Sequence, residues 1–169
     1  EKQGAYSWCK APRLKGQVVE TGAIARQLLD QQPLVTQLVQ DTGGNVATRV
    51  LARLLELARL VPVMEQWCQA LKIGEPFCAH APMPDEAHGV GLVEAARGSL
   101  GHWLTVRAGK IAHYQIIAPT TWNFSPRDEL GQAGALEQAL VGTPVEDEGV
   151  INVQHIVRSF DPCMVCTVH

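Results

Sequence analysis

Two cysteines stand three apart near the end of the sequence, Cys163 and Cys166, with His169 three further on, inside the run Asp161-Pro162-Cys163-Met164-Val165-Cys166-Thr167-Val168-His169. A C-x2-C turn brings both sulfurs to one metal ion. Thiolates are soft, anionic donors, so such a pair favours zinc, iron, nickel or copper over magnesium or calcium. Spacing alone leaves three uses open. Structural zinc needs four protein ligands, and beyond Cys163, Cys166 and His169 there is no second C-x2-C to complete a zinc-binding structural module. A thioredoxin-like redox pair would open a helix behind a strand, whereas this one lies three residues short of the last position. An incidental pair is the third use. Metal binding fits the spacing best.

The other cysteines carry less chemistry. Cys9, Cys68 and Cys78 bring the count to five, an odd number in a chain of 169 residues that has no need of disulfide staples, so a reducing compartment is expected. Cys9 beside Trp8 and Cys68 beside Trp67 read as small packing groups. Apolar residues make up 46% of the sequence and charged ones 18%, enough for a packed core in one domain. With 14 basic and 17 acidic residues, a net charge of −3 and no basic run, the chain lacks the electrostatic footprint of nucleic-acid binding. No apolar run is long enough to span a membrane, and the start Glu1-Lys2-Gln3-Gly4 shows neither an initiator Met nor a signal peptide. A cytoplasmic chain, or one held at a membrane through a partner, is expected, either processed or a piece of something longer.

These residues must be positioned by an α+β, mainly helical fold. Thr21 is expected to cap a short helix to about Gln31, and Pro33 to open a second that ends at Gly43-Gly44. Asn45 would cap the longest helix, where Val46, Val50, Leu54, Leu57, Val61, Met64, Cys68 and Leu71 recur at spacings of three and four. Pro62 should kink or divide it. Its opposite face, with Arg49, Arg53, Glu56 and Arg59, reads as ordinary ion pairs on a solvated or partner-facing surface. A Pro-rich loop from Pro76 to Pro84 separates a helical portion, 1–75, from a mixed portion, 76–169, within what is expected to be one domain lacking an N-terminal part. In the second portion Val90 to Ala95 and Leu104 to Ile117 read as strands, with a hairpin turn at Arg107-Ala108-Gly109-Lys110, and Leu136 to Val141 and Val150 to Arg158 as helices. His80, His88, His102, His113 and His155 have no spacing that assigns them to chemistry, and His102 is expected to pack beneath the site.

The tail run, Asp161 to His169, resembles the D-P-C-x-x-C-x-x-H signature of nickel-iron hydrogenase large subunits. Four more blocks are similar in the same order. They are Tyr6-Ser7-Trp8 with Lys10 to Arg13; Gly22 to Arg26; Gly91 to Gly98 followed by Leu100-Gly101-His102-Trp103; and Tyr114-Gln115 with Pro119 to Asn123 and Pro126 to Asp128. The resemblance runs through nearly the whole chain and implies the C-terminal portion of that fold: a helical first part and a small β-hairpin region before the metal loop.

It further implies a nickel-iron centre bearing carbon monoxide and cyanide, with Cys163 terminal on nickel and Cys166 bridging the two metals. His169 and the Ile116 carbonyl would hold magnesium or a similar ion at the C-terminus. Arg97 would stand over the open metal site, paired with Asp161, and Thr120, with the backbone at Pro119, would hydrogen-bond cyanide. The implied reaction is heterolytic cleavage of dihydrogen. Cys163 and Arg97 are the two bases in reach, and the reluctance of a guanidinium to lose a proton favours Cys163. Ala96 and Ala23 stand where the family usually has Pro. The family's other cysteine pair and a proton-accepting Glu lie in a portion not present, so activity would require that remaining N-terminal part and an iron-sulfur small subunit. Hydrogen sensing with slow turnover is the alternative role.

Overall fold

The computed structural model describes residues 3–145 and 150–167. Three helices come first: α1 (Ala23–Leu29), α2 (Pro33–Thr42) and α3 (Val46–Ala70). The start signals of α2 and α3 act as their chemistry dictates. Pro33 opens α2 where its missing N–H costs nothing, and the Gln32 side chain accepts from Val35 N–H. Asn45 and Thr48 form a reciprocal capping box on α3. The first helix departs from expectation. Gly22, not Thr21, is its N-cap, because both backbone groups of Thr21 are already bonded to the Asn123 side chain, each at 2.9 Å.

A small core of Ala23, Ile24, Val35 and Ala52 joins the three helices, with Leu28, Val39 and Leu55 against it. Pro62 does not divide α3, which continues through it to Ala70. The carbonyl that Pro62 leaves without a donor belongs to Ala58, which is exposed, so water can satisfy it. The apolar stripe of Val50, Leu54, Leu57, Val61 and Met64 faces outward, and Cys68 is exposed with it. Arg49, Arg53 and Glu56 turn inward instead, while Arg59 stays exposed as expected. Arg49 is only 6% exposed, gripping Glu20 through two bonds of 2.7 and 2.8 Å and lying 3.8 Å over the Phe160 ring. Complementary partners on the neighbouring segments decide which face of the helix is buried.

Three antiparallel strands follow, β1 (Glu86–Ala95), β2 (Gly98–Arg107) and β3 (Lys110–Ile117), in that spatial order. The sequence suggested a hairpin; β1 extends it to a sheet, pairing Leu92 with Gly101 and Ala95 with Gly98. Three short helices close the fold: α4 (Pro119–Asn123), α5 (Ala135–Leu140) and α6 (Val150–Ser159). No helix among the described residues is long and apolar enough to cross a membrane.

Candidate metal centre

The cysteine loop is held at both ends by backbone chemistry. After α6, the Asp161 N–H bonds back to the Arg158 carbonyl at 3.0 Å, and Asp161 takes a left-handed φ of 51°, uncommon outside glycine but tolerated best by Asp and Asn. Pro162 cannot continue a helix, so the chain turns out to Cys163. Cys163 N–H donates to the Thr120 hydroxyl at 3.2 Å, and Cys166 N–H closes on the Cys163 carbonyl at 3.1 Å, leading into a 3-10 turn, Val165–Thr167. Thr121 donates to the Cys166 carbonyl at 3.4 Å. Thr120 and Thr121 are both buried in α4, so a rigid element carries the loop.

The two sulfurs lie 2.9 Å apart as free thiols. Their acidities are driven in opposite directions. A hydrogen bond from Cys166 above all, then backbone N–H groups and the positive charge of Arg97, hold the Cys163 thiol below its ordinary range. Burial first, and then the neighbouring Cys163, push Cys166 up to about 11. Two sulfurs this close fit a soft metal, which binds thiolates and displaces their protons.

Arg97 sits in the two-residue turn between β1 and β2, with its Nε 3.5 Å from Asp161 Oδ1. Both side chains are nearly half exposed, and the separation exceeds a good hydrogen bond, so this pair contributes little stability by itself. Gly98 follows at φ 134°, and a Cβ there would meet Thr21 Oγ1 at 2.6 Å and Gly22 N at 2.8 Å. Only glycine lets the turn lie this close to the start of α1. A cavity of about 20 Å³, room for roughly one water, lies between Glu20, Arg49 and Arg53 on one side and Arg97 and Asp161 on the other.

Four of the expected site residues, Cys163, Cys166, Arg97 and Asp161, are brought together, with Thr120 directly behind them. The Pro119 carbonyl accepts from Thr21 Oγ1 at 3.4 Å. His169 lies outside the described residues. The Ile116 carbonyl accepts from Lys10 Nζ at 3.2 Å and Gln115 Nε2 at 3.0 Å. Two donors, one of them cationic, take both its lone pairs, which does not fit a divalent cation at that oxygen. Among the described residues no group of three or more His, Cys, Asp or Glu is gathered for a metal, so two thiolates are what this segment offers. Cys9 is buried, its thiol directed at the Thr121 carbonyl at 3.8 Å, a packing role as expected.

The histidines pair locally. His80 contacts Cys78 within its own loop at 3.2 Å, His88 the Thr105 hydroxyl at 3.1 Å, and His102 the Tyr114 hydroxyl at 2.6 Å on the sheet, partly exposed rather than packed beneath the site. Sequence spacing gave no reason to single out Asn123, Arg26 or Arg49. Asn123 is 2% exposed and ties α4 to Thr21. Its only signal was its place in the Pro119 to Asn123 block.

The whole chain, residues 1–169, matches the family described as nickel-dependent hydrogenase. It is 34% identical over 200 residues to the uptake hydrogenase large subunit of Afipia carboxidovorans, covering all of this chain and 33% of that protein. It is 35% identical to the periplasmic nickel-iron-selenium hydrogenase large subunit of Desulfomicrobium baculatum, covering all of this chain and 36% of that one. The fold is similar to the reduced nickel-iron-selenium hydrogenase of Desulfovibrio vulgaris Hildenborough, with a TM-score of 0.88 and 37% identity over all of this chain and 39% of that chain. The chain therefore spans about a third of the length of the relatives it matches.

Proposed function

Because this chain belongs to the nickel-dependent hydrogenases, as a portion of the large subunit, we propose that its cysteine loop supplies two thiolates to a nickel-iron centre for heterolytic cleavage of dihydrogen into protons and electrons. The observation that carries this reading is the pair of free sulfurs 2.9 Å apart beside the Arg97–Asp161 pair. When bound, the metals supply the Lewis acid that polarises dihydrogen and the outlet for its electrons. The chain's own residues do the rest. Cys163 would accept the proton at Sγ, since Arg97, the other base in reach, holds its own proton too tightly. Arg97, which lies beside Asp161, would present N–H donors to the cyanide ligands of iron. Thr120 fixes the loop by accepting from Cys163 N–H, and its hydroxyl proton would donate to the same ligands.

Two thiolates cannot complete the centre. The remaining part of the large subunit supplies the other cysteines and a proton-accepting Glu, and an iron-sulfur small subunit carries the electrons away. The outward apolar stripe of α3 supports this arrangement, since a row of exposed Val, Leu and Met on a 25-residue helix needs a cover. Any membrane association comes through such a partner. We read the role as turnover rather than sensing.

Infrared spectroscopy and nickel analysis of the assembled complex test the reading together. Carbon monoxide and cyanide bands with one nickel per complex are expected, and bound zinc without those bands would overturn it. Cys163→Ser should lose the nickel, or at least about 100-fold of hydrogen oxidation, the scale of losing a group that acts directly on the reacting atoms. Unchanged hydrogen oxidation in that variant would refute the ligand assignment. Negligible turnover with intact metals would favour the sensing role.

A further inference from the structure

The turn that carries Arg97 cannot hold its own shape. It joins β1 to β2 through Ala96 and Arg97 alone, with Ala95 opposite Gly98. Two-residue hairpin loops match the strand twist when a central residue has positive φ. Neither Ala96 nor Arg97 does, and the strain passes to Gly98 at φ 134°. Ala96 has no ring to fix its own backbone, and the half-exposed pair with Asp161 is too weak to act as an anchor. Something outside the turn must set it.

Arg26, on α1, is that brace. Its Nη1 donates to the Ala95 carbonyl at 2.9 Å and to Glu94 Oε2 at 3.0 Å, and its Nη2 to the Ala96 carbonyl at 3.1 Å. The remaining two donors, on Nε and Nη2, grip both carboxylate oxygens of Glu56 on α3 at 2.8 and 2.6 Å. A guanidinium has five N–H groups, and all five are committed here, so it has a single orientation. We infer that Arg26, locked by Glu56, is a positioning residue for Arg97: by fixing the two carbonyls just before Arg97 it sets where that guanidinium meets Asp161. Hydrogen bonding to Glu56 also raises the Arg26 pKa above its ordinary value, so the brace stays charged at any working pH. The other side of the pair is set from the same helix. Arg53 donates to the Ser159 carbonyl at 2.8 Å and Arg49 lies over Phe160, the two residues before Asp161. One face of α3 thereby fixes the separation between Arg97 and Asp161.

This inference rests on the assignment of Arg97 to the metal centre, and its test separates the two. In the assembled hydrogenase, Arg26→Met and Arg26→Lys are each compared alone and combined with Arg97→Ala. A lysine is a point charge that cannot span three acceptors in a plane, so it should not rescue. With Arg97 present, hydrogen oxidation should fall about 10- to 100-fold at unchanged nickel content, the scale of an ångström's misplacement of a catalytic group. With Arg97→Ala, the same substitution should cost less than about twofold more, because residues acting as a unit are not additive. Equal losses in both backgrounds, or full turnover in Arg26→Met, would overturn the inference. Glu56→Gln, which keeps an acceptor but releases the charge, should give a smaller loss of the same pattern and carries the test if Arg26→Met does not assemble. Hydrogen exchange at residues 95–98 reads the brace without reference to any metal. It should quicken about 10-fold in Arg26→Met, as loss of roughly 1.4 kcal/mol implies. Unchanged exchange there overturns the brace even in a complex that holds no nickel, whereas quickened exchange with no nickel in the unsubstituted complex would sink only the hydrogenase reading.

Discussion

The sheet contains two turns of equal length that are built in opposite ways. The turn between β2 and β3 puts Ala108 at φ 49° and Gly109 at φ 67°, the doubly left-handed arrangement whose twist matches the strands it joins. Its outside support is slight: Ala108 N–H reaches Glu86 Oε1 at 3.3 Å and Gly109 N–H the Asp85 carbonyl at 3.2 Å. The turn between β1 and β2 has no left-handed central residue and borrows its shape from Arg26, Glu56 and the close approach of Gly98 to Thr21. The self-sufficient turn carries no proposed chemistry, and the borrowed one carries Arg97. A turn fixed from outside can be set by the rest of the fold to a position that local preference would not choose, which is what a group aimed at a metal centre requires.

Gly98→Ala is the strongest way to break that contrast. A Cβ at φ 134° lies in a region reserved for glycine and would strike Gly22 N at 2.8 Å, backbone that cannot swing aside. Strain and overlap together should cost about 3 kcal/mol or more. The thermal midpoint of the complex should drop markedly, and hydrogen oxidation should fall with it as Arg97 is displaced. An unaltered melting curve with normal turnover would mean that the β1–β2 turn does not depend on its contact with Thr21 and Gly22.

How much of this was written in the sequence divides along the same line. The β2–β3 turn was legible because Ala108-Gly109 between two β-branched runs is a local signal, and the starts of α2 and α3 were legible from Pro33 and Asn45 for the same reason. The β1–β2 turn lay inside a recognisable block, yet nothing in Ala95-Ala96-Arg97-Gly98 tells that an arginine some seventy residues earlier would hold it. Periodicity likewise showed that α3 has two faces without showing which one is inward. That depends on Glu20, Arg26 and Ser159, which accept or supply charge and hydrogen bonds against Arg49, Glu56 and Arg53. The cysteine loop was the clearest part of the site, because C-x2-C spacing dictates proximity within one turn. The Ile116 carbonyl was the least accessible, since its donors, Lys10 and Gln115, show only in three dimensions.

Gly109→Ala measures the self-sufficient turn by the same kind of change. Here the added Cβ would meet only Asp85 Oδ1 at 3.6 Å, an ordinary contact, so the penalty is the left-handed backbone alone, about 1 kcal/mol. Exchange at residues 107–110 should quicken about 5-fold while hydrogen oxidation stays within about twofold of the unsubstituted complex. If turnover fell as far as in Gly98→Ala, the two turns would not be functionally distinct.

Ala108→Asn should have the smallest effect and the opposite sign. Ala108 already holds φ 49°, which alanine adopts at a cost and asparagine tolerates, and Asn-Gly is the favoured pair for this turn. The backbone N–H that reaches Glu86 is unchanged by the substitution. Stability should rise by about 0.5–1 kcal/mol, seen as a melting shift of a few degrees and slower exchange at residues 107–110, with no change in hydrogen oxidation. Asparagine at Ala96 tests the other half of the comparison, because a residue that favours left-handed φ would compete there with the geometry that Arg26 imposes. Ala96→Asn should therefore gain no stability and lose turnover; a gain equal to that of Ala108→Asn would show that the Arg97 turn follows local preference after all.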